Sequence, residues 1–563
     1  MLNHEKAQFL PLKMVDLNLI SMLKTLKLSF MTQQSTKSNQ SALYTLMTVW
    51  FFWSFVAASN GILIPLFKEK FTLTQTQAQL VDFAFYAAYF IGSILYLIFS
   101  RLMGGDILNK IGYKNGIVIG LLISALGTLM FYPAAQTASY PLLLAGLFIV
   151  GLGFSLQQTA TQPFMIALGS PETGAQRINL GGAVNNLGGT IGPALVSFAI
   201  FGSIAKDAAA KASIEDVKVP YLCLGALFAL MALFFWRSNL PRIKNDEDVQ
   251  VSNIVIGLPL AFLVLCVGVA IAFSIETAIV FTFILMLILM VGYLIYAVVN
   301  KAGEIQNAGS VLQYPQAVLG MTAIFVYVGV EVTIGSNLGE YLKQTENLDS
   351  SQISKFISLF WGSMMIGRWT ASISNFNPSE SLKKILIVIV PFVAFAIVLI
   401  VNSLYSGDVS DLLPYAACVA IMIMAYFASK EKPVRLLLIF TALGAIMTII
   451  GVMTTGKVAL FSLISGGLFC SVLWPSIFSL GTAGLGKFTN QGAAFLIMMI
   501  LGGSIIPVVQ GRIADSFGIQ TSYLLAAACF VYLFIFGIIV QGVLRKQGID
   551  FDKEVVSGGK SGH

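Results

Sequence analysis

Residues 101–116, RLMGGDILNKIGYKNG, separate two long apolar segments and bring glycines and charges together. The glycines allow a tight turn, and the charged side chains suit helix ends, where they can form a charge relay. The alternative is an ordinary solvated turn. The residues that we assign to this conformational loop are Gly105, Asp106, Lys110, Gly112 and Lys114.

The composition places this loop in a membrane protein. Of the 563 residues, 57% are hydrophobic and 10% are charged, whereas soluble domains carry about 25% charged residues. Such a chain lacks the polar side chains that would cover a water-exposed surface. We therefore expect an all-α integral membrane protein whose surroundings are the lipid bilayer.

The composition also excludes several classes of function. Both histidines, His4 and His563, are terminal, and the five cysteines lie in apolar segments without CxxC spacing. We therefore expect no catalytic histidine, no metal site, no cofactor and no enzymatic activity. The chain has neither a basic cluster with interleaved aromatic residues for nucleic acid nor a GxxxxGK[ST] loop for ATP.

Sixteen segments are apolar and long enough, at about 20 residues, to cross a bilayer as helices. They lie at 43–67, 79–100, 114–134, 140–168, 178–203, 220–240, 254–274, 278–300, 314–341, 352–376, 382–403, 411–429, 434–454, 457–484, 488–509 and 520–543.

Loop charges predict the orientation of these spans. Basic residues follow the second, sixth and twelfth spans and precede the eleventh, while the opposite loops include the uncharged YPAAQTASY and the acidic SGDVSD. Because cytoplasmic loops are rich in Lys and Arg, both termini are predicted to be cytoplasmic. Residues 1–30 lack the apolar core of a signal peptide, and we treat them as an extension or a mis-assigned start.

A weaker form of the first loop pattern, GRWTASISNF, follows the tenth span. The similarity indicates an internal repeat, as in transporters whose halves rock around a central site. Arg368 belongs to this second pattern. We expect it beside the cytoplasmic loop, in a structural role.

The stretch at 101–116 resembles the signature between the second and third helices of the major facilitator superfamily. Longer stretches are similar to its fucose permease and glucose/galactose transporter branch. They occur in family order along both halves, and include FFWSFVAASNGILIPLF (51–67), RINLGGAVNNLGGTIGP (177–193), VYVGVEVTIGS (326–336) and WPSIFSLGTAGLG (474–486).

This resemblance implies twelve helices in two six-helix bundles around a central cavity. Two pairs of spans are then additional: one at 254–300, and two of the three spans between 382 and 454, with the choice among the three left open. The resulting domains are a cytoplasmic extension at 1–42, a bundle at 43–240, a linker with the first extra pair at 241–313, a bundle at 314–543 and a cytoplasmic tail at 544–563.

The resemblance to the fucose type also implies one carboxylate in helix one and another in helix four, but this chain has Gly61 and Gln158 there. Asp82, about one turn into the second span, comes to a depth similar to that of Gly61, since each helical residue rises about 1.5 Å. We take Asp82 as a candidate for binding the coupling ion. The alternative is a wetted carboxylate at a helix N-terminus.

Glu331 is the second coupling candidate. It lies in VYVGVEVTIGSN, where a charge costs roughly 2.5–3.5 kcal/mol on insertion scales. No cationic residue lies three or four positions away, so we expect the carboxylate to take up a proton or to lie near a sodium ion. The structural alternative is a neutral glutamic acid held by a hydrogen bond between helices.

Several amides in the spans fit a neutral polyol, because amides both donate and accept hydrogen bonds. No set of buried Arg or Lys indicates an anionic substrate. Each amide alone could instead pack helices together, and the tryptophans could anchor the membrane interface. The substrate-binding candidates are Asn60, Gln157, Gln158, Gln162, Asn185, Asn186, Asn337, Trp361, Trp474 and Asn490.

The sequence therefore predicts secondary active uptake of a neutral monosaccharide with a proton or sodium ion, by a monomer in a bacterial inner membrane. An exporter of amphipathic compounds is one alternative, because Gly61 and Gly182 would widen the cavity. A non-transporting sensor or scaffold is another. The short loops and short tail leave no room for a soluble signalling domain.

Overall fold

The computed structural model describes residues 40–56, 71–72, 75–170, 173–201, 218–243, 251–273, 275–299, 310–346, 350–406 and 408–551. These ranges contain α-helices and short 3₁₀-helices and no strand. This is the expected all-α class, since within a bilayer a helix satisfies its own backbone hydrogen bonds.

The described residues up to 299 form ten helices. They are α1 (40–56), α2 (Gln75–Leu102), α3 (Ile107–Ile111), α4 (Tyr113–Leu129), α5 (Phe131–Gln136), α6 (Tyr140–Ala167), α7 (Gly174–Phe201), α8 (Lys218–Arg237), α9 (Asn253–Ala272) and α10 (Ile275–Val299).

Twelve more follow among the described residues beyond residue 310. They are α11 (Pro315–Thr345), α12 (Ser350–Ser372), α13 (Glu380–Ser406), α14 (Ala416–Ser429), α15 (Pro433–Met453), α16 (Gly456–Ile464), α17 (Gly466–Cys470), α18 (Leu473–Thr482), α19 (Thr489–Met498), α20 (Gly502–Phe517), α21 (Ile519–Ser522) and α22 (Leu524–Lys546).

Thirteen segments in the described ranges are long and apolar enough to cross a membrane. The sequence predicts sixteen, and that count is not confirmed. The three remaining predicted spans coincide with α1, α7 and α12, which are helical but are not among the thirteen. The described part of α1 ends at residue 56, and α7 and α12 both carry polar and charged residues.

Small residues bring the first-part helices close together. Helix α4 packs against α6 and α8, and α2 packs against α6. At the α4–α6 crossing, a Cβ on Gly153 would overlap the Gly120 carbonyl oxygen, and Ser124 Oγ donates to the Gly120 and Val150 carbonyls at 3.1 and 3.3 Å. Close backbone approach of this kind stabilises helix pairs in lipid, where apolar burial alone does not.

The second part has a related arrangement and meets the first along two seams. Helix α15 packs against α22 and against the segment α16–α18, while α11 packs against α20 and α22. Helix α7 packs against α12 and α18, and α2 packs against α19 and α20. The two parts of the chain are therefore joined along α7–α12 and α2–α19/α20.

We expect Gly502→Ala to destabilise the protein, because the new Cβ would overlap the backbone carbonyl of Phe325. Overpacking of this kind costs about 1–3 kcal/mol, to be measured as a lower Tm in detergent. Gly511→Ala in the same helix is the control, since a Cβ there meets nothing within 4 Å. Equal Tm values for the two variants would contradict the close α11–α20 packing.

Candidate functional site

A buried arginine connects the two parts of the chain. Arg368 lies in α12 and is 6% exposed. Its Nη1 donates to Asn186 Oδ1 in α7 at 3.2 Å, and its Nη2 donates to Tyr327 Oη in α11 at 3.3 Å. Its Nε donates to the Ser471 carbonyl oxygen at 3.0 Å. The expected position beside the cytoplasmic loop is therefore wrong: the guanidinium is internal and bonds to three other segments.

A proline explains why the Ser471 carbonyl accepts from Arg368. In a continuous helix this carbonyl would accept from the N–H of residue 475, but Pro475 has no N–H. The span is broken here, between α17 and α18. Gly367 lets α12 approach the break, since a Cβ there would overlap Ser471 Oγ. The broken helix thus supplies an acceptor for a buried cation.

Glu331 has a cationic neighbour that its own helix does not provide. The Tyr327 hydroxyl, which accepts from Arg368, also hydrogen-bonds to the Glu331 carboxylate. The Arg368 charge acts on the same carboxylate. This partner comes from α12, so the spacing of residues within α11 gives no sign of it. Glu331, Tyr327 and Arg368 form one charge-balanced group.

A second buried arginine has a structural role. Arg177 is 8% exposed and donates to the carbonyls of Met165 and Ile166 at 2.7 and 2.6 Å, and to that of Ser170 at 2.7 Å. It therefore caps the end of α6. Two arginines are thus buried, but Arg177 is occupied by carbonyls and Arg368 lies beside a carboxylate, so neither is left to bind an anionic substrate.

A chain of aromatic and amide side chains also joins the two parts of the protein, between α18 and α6. Trp474 Nε1 in α18 donates to Gln162 Oε1 in α6 at 3.0 Å. Gln162 Nε2 donates to Gln158 Oε1 at 3.2 Å, and Gln158 Nε2 donates to Tyr89 Oη at 3.1 Å. The Trp474 ring lies 6.0 Å from that of Tyr327, centroid to centroid. Three predicted substrate-binding residues thus share one network with Glu331 and Arg368.

Two consecutive amides of α7, of which Asn186 bonds to Arg368, have unused polar atoms. Asn185 Oδ1 and Asn186 Nδ2 are buried and have no hydrogen-bond partner among the described residues. Buried polar groups in proteins are nearly always paired, because an unpaired one costs about 1–3 kcal/mol. These two atoms offer one acceptor and one donor to a ligand.

Other predicted substrate residues lie elsewhere. Gln157 bonds to Trp53 at 2.9 Å and to Ser124 at 3.1 Å, so both of its amide atoms join helices. Asn337 donates to Gln510 at 3.0 Å within the second part. Trp361 is 40% exposed and packs edge-on against a neighbouring phenylalanine. For Gln157 and Asn337 the structure favours the packing alternative.

Asn490 joins the loop at 101–116 rather than the central network. Its Oδ1 accepts from Tyr113 Oη at 2.7 Å, and its Nδ2 donates to Asp106 Oδ1 at 3.2 Å. Asp106 also accepts from Tyr96 Oη at 2.8 Å and from the backbone N–H of Leu108 at 2.8 Å, which makes it the N-cap of α3. We call Asp106, Asn490, Tyr113 and Tyr96 the Asp106 cluster.

The loop lysines do not form the expected charge relay with Asp106. Lys110 Nζ donates to the Met103 carbonyl, and Lys114 Nζ donates to the carbonyls of Trp236 and Ser238 at 2.9 and 3.1 Å. The turn itself is as expected, since Gly112 has φ +84°, which favours glycine. The lysines therefore stabilise loop ends, and Asp106 bonds across the seam.

Two candidates cannot be placed. Asn60 lies outside the described residues, and for Asp82 the structure describes the α2 backbone but not the side chain. The described residues contain no group of three or more His, Cys, Asp or Glu side chains suited to a metal ion. Sequence reasoning missed Tyr327 and Tyr89, which have no distinctive pattern. It had a signal for Arg368, which is a charge inside a predicted span.

Comparison with known proteins agrees with this architecture. The family model described as Major Facilitator Superfamily matches residues 45–426. The chain belongs to the Major Facilitator Superfamily. It is thus a multi-pass secondary transporter and not an enzyme.

Its curated relatives are bacterial. A glucose/galactose transporter of Brucella abortus is 31% identical over 511 residues, which cover 90% of this chain and 96% of that protein. An L-fucose-proton symporter of Escherichia coli is 26% identical over 87% of this chain and 91% of its own length. A crystal structure of the superfamily transporter FucP in the outward conformation has a TM-score of 0.59 at 24% identity, covering 89% of this chain and 99% of FucP.

We expect Arg368→Met to lower stability strongly, because it leaves Asn186, Tyr327 and the Ser471 carbonyl without their donor and Glu331 without its balancing charge. Breaking a buried charge pair costs about 3–5 kcal/mol, measurable as a fall in Tm in detergent. Arg368→Lys retains the charge but not the three directed bonds, so we expect an intermediate loss. A Tm for Arg368→Met equal to that of the unmodified protein would contradict the buried network.

The burial of Asp106 predicts that the stability of the folded protein depends on pH. Burial raises the pKa of Asp106. The hydrogen bonds that it accepts lower the pKa but do not outweigh burial; they come from Tyr96, the Asn109 N–H, Asn490 and the Leu108 N–H. The pKa of Asp106 is therefore higher in the folded than in the unfolded protein. The contribution of protonated Asp106 to stability is complete below the unfolded-state pKa and is lost as the pH rises through the folded-state pKa.

We therefore expect the Tm of the unmodified protein to fall relative to that of Asp106→Asn as the pH rises above about 4. Asparagine keeps an acceptor for the α3 N–H groups but has no charge. Asp515→Asn, at an exposed carboxylate of α20, serves as the control. A Tm difference between unmodified protein and Asp106→Asn that does not change with pH would contradict the prediction.

Proposed function

We propose that this transporter takes up a neutral monosaccharide together with a proton or a sodium ion, by alternating access between its two bundles. The observation that carries the proposal is the network at the α7–α12 seam. It combines an unused amide atom on Asn186, a tryptophan face and one carboxylate. The relatives, named as a glucose/galactose transporter and an L-fucose-proton symporter, support the same substrate class.

The chemistry of the network suits a sugar. Amides donate to and accept from hydroxyl groups without the cost of desolvating a charge. The Trp474 ring offers an apolar face for the C–H side of a pyranose. Because the Arg368 charge is balanced by Glu331, the site has no spare cation for an anionic substrate. Asn185, Asn186, Gln158, Gln162 and Trp474 are the residues we propose to contact the sugar.

Glu331 is the residue we propose to bind the coupling cation. A proton or sodium ion on this carboxylate would neutralise it and weaken its attraction to Arg368. Arg368 bonds across the seam to Asn186, so a change at Glu331 reaches the contact between the bundles. Asp82 in α2 stays a second candidate.

The two bundles, at 43–240 and 314–543, would rock against each other, so that contacts at the seams form and break. We propose that the Asp106 cluster faces the cytoplasm, together with both termini, and closes that side of the molecule. Its Tyr113–Asn490 and Asn490–Asp106 bonds join the bundles and must break when this side opens. We propose a monomer in a bacterial inner membrane.

Uptake of radiolabelled sugars into proteoliposomes tests the proposal, under an imposed proton or sodium gradient. We expect Glu331→Gln to lower gradient-driven uptake at least about tenfold, a change of about 1.4 kcal/mol, while sugar counterflow continues. Glu340→Gln in the same helix is the matched control, because Glu340 is exposed. Asp82→Asn identifies the other carboxylate if it gives this pattern instead.

Uptake of no sugar under either gradient would contradict the proposal. Gradient-driven efflux of an amphipathic compound from the same vesicles would then favour an exporter. Uptake that is unchanged in both carboxylate variants would support a sugar as the substrate but exclude Asp82 and Glu331 as coupling residues.

A further inference from the structure

The packing of α15 identifies the additional helices in the second bundle. In the first bundle α4 packs against α6 and against the last helix, α8. In the second bundle α15 packs in the same way against α16–α18 and against the last helix, α22. Helix α15 is thus the counterpart of α4. The two spans between α12 and α15 are then the additional pair, and we call residues 380–429 the insertion hairpin.

The insertion hairpin is bonded to α12 at several depths. Lys355 Nζ lies 2.5 Å from Asp411 Oδ2. One turn further along α12, Ser358 Oγ accepts from Asn402 Nδ2 at 2.9 Å. In the middle of the helix Ser363 Oγ lies 2.7 Å from the Tyr415 hydroxyl.

Two further contacts attach the hairpin: a close approach of the α12 and α13 backbones, and polar bonds at the end of the hairpin. A Cβ on Gly362 would lie 2.5 Å from Val398 Cγ2, so α12 and α13 approach closely only because residue 362 is glycine. Just past the hairpin, Glu431 receives Lys383 Nζ at 2.9 Å and a hydrogen bond from Ser374, which follows α12. The hairpin is thus attached to α12 between Lys355 and Ser363 and, through Lys383 and Glu431, to the segment that follows α12.

Helix α12 also makes the contacts that cross the seam. Arg368 reaches Asn186, Trp369 Nε1 donates to the Ala183 carbonyl at 3.2 Å, and Met365 Sδ lies 4.0 Å from Thr190 Oγ1. In alternating access these contacts open and close, whereas the hairpin contacts lie within one bundle. The two sets of contacts on α12 therefore have different mechanical roles.

We propose that the insertion hairpin moves with α12 as one rigid body and positions Arg368 for its contact with Asn186. Asp411 and Tyr415 are positioning residues, since they act on α12 and do not touch the proposed site. The inference rests on the proposed alternating access. It assigns the additional pair a mechanical role inside the second bundle rather than a docking role.

Cross-linking tests the rigid-body part in a full-length chain whose five cysteines are replaced. Ser358→Cys with Asn402→Cys joins the hairpin to α12, and we expect the cross-linked protein to keep at least about half of its sugar uptake. Thr190→Cys with Met365→Cys is the matched control across the seam, and its cross-link should abolish uptake. Loss of uptake on the hairpin cross-link, reversed by reduction, would overturn the proposal.

A charge exchange in the otherwise native chain tests the positioning part and requires no cysteine replacement. We expect Lys355→Asp and Asp411→Lys each to lower the Tm and to reduce maximal uptake at least about threefold with little change in KM. The double variant should restore both quantities, because the pair is re-formed with opposite polarity. Additive losses in the double variant would overturn the proposal.

The outcomes separate this inference from the proposed function. If the double variant restores the Tm but no variant takes up any sugar, the proposed function is contradicted. The conclusion that the hairpin is attached to α12 then still stands. Sugar uptake that is blocked by the hairpin cross-link would retain the proposed function and overturn the rigid-body movement.

Discussion

Burial of the Arg368 charge is the constraint on which the centre of this protein depends. An isolated cation in a protein interior is very costly unless its donors are all satisfied and its charge is balanced. Here the Ser471 carbonyl, Asn186 and Tyr327 accept its hydrogen bonds, and the Glu331 carboxylate lies beside it. The three acceptors come from three different segments, so the arginine fixes the relative positions of α7, α11, α12 and the broken segment α16–α18.

The broken helix and the glycines follow from the same requirement. Pro475 withdraws the donor that would otherwise occupy the Ser471 carbonyl, and Gly367 lets α12 come near enough to use it. The Asp106 cluster solves a similar problem at the other seam, where a carboxylate caps α3 and accepts from Asn490. Both buried charges thus bond across a seam between the two parts of the chain.

The residues that sequence reasoning selected were chosen by type, and their types were informative only in part. Gln157 and Gln162 lie in one helix and have the same chemistry, yet Gln157 bonds within the first bundle and Gln162 reaches Trp474 across the seam. Asn490 was grouped with the sugar-binding amides and instead bonds to Asp106. The partner of each amide depends on which neighbouring helix its side chain faces. The spacing of residues within one helix does not show which helix that is.

The sequence by itself determined that the chain is helical and membrane-embedded, because a bilayer requires long apolar segments whose backbones satisfy themselves. Its motifs, in family order, also determined the superfamily. Only the tertiary structure decided that Glu331 is paired, that Arg368 is internal, and that α15 packs against both α16–α18 and α22. The physical reason is that helix formation in lipid is local, whereas charge pairing and packing join residues far apart in the chain.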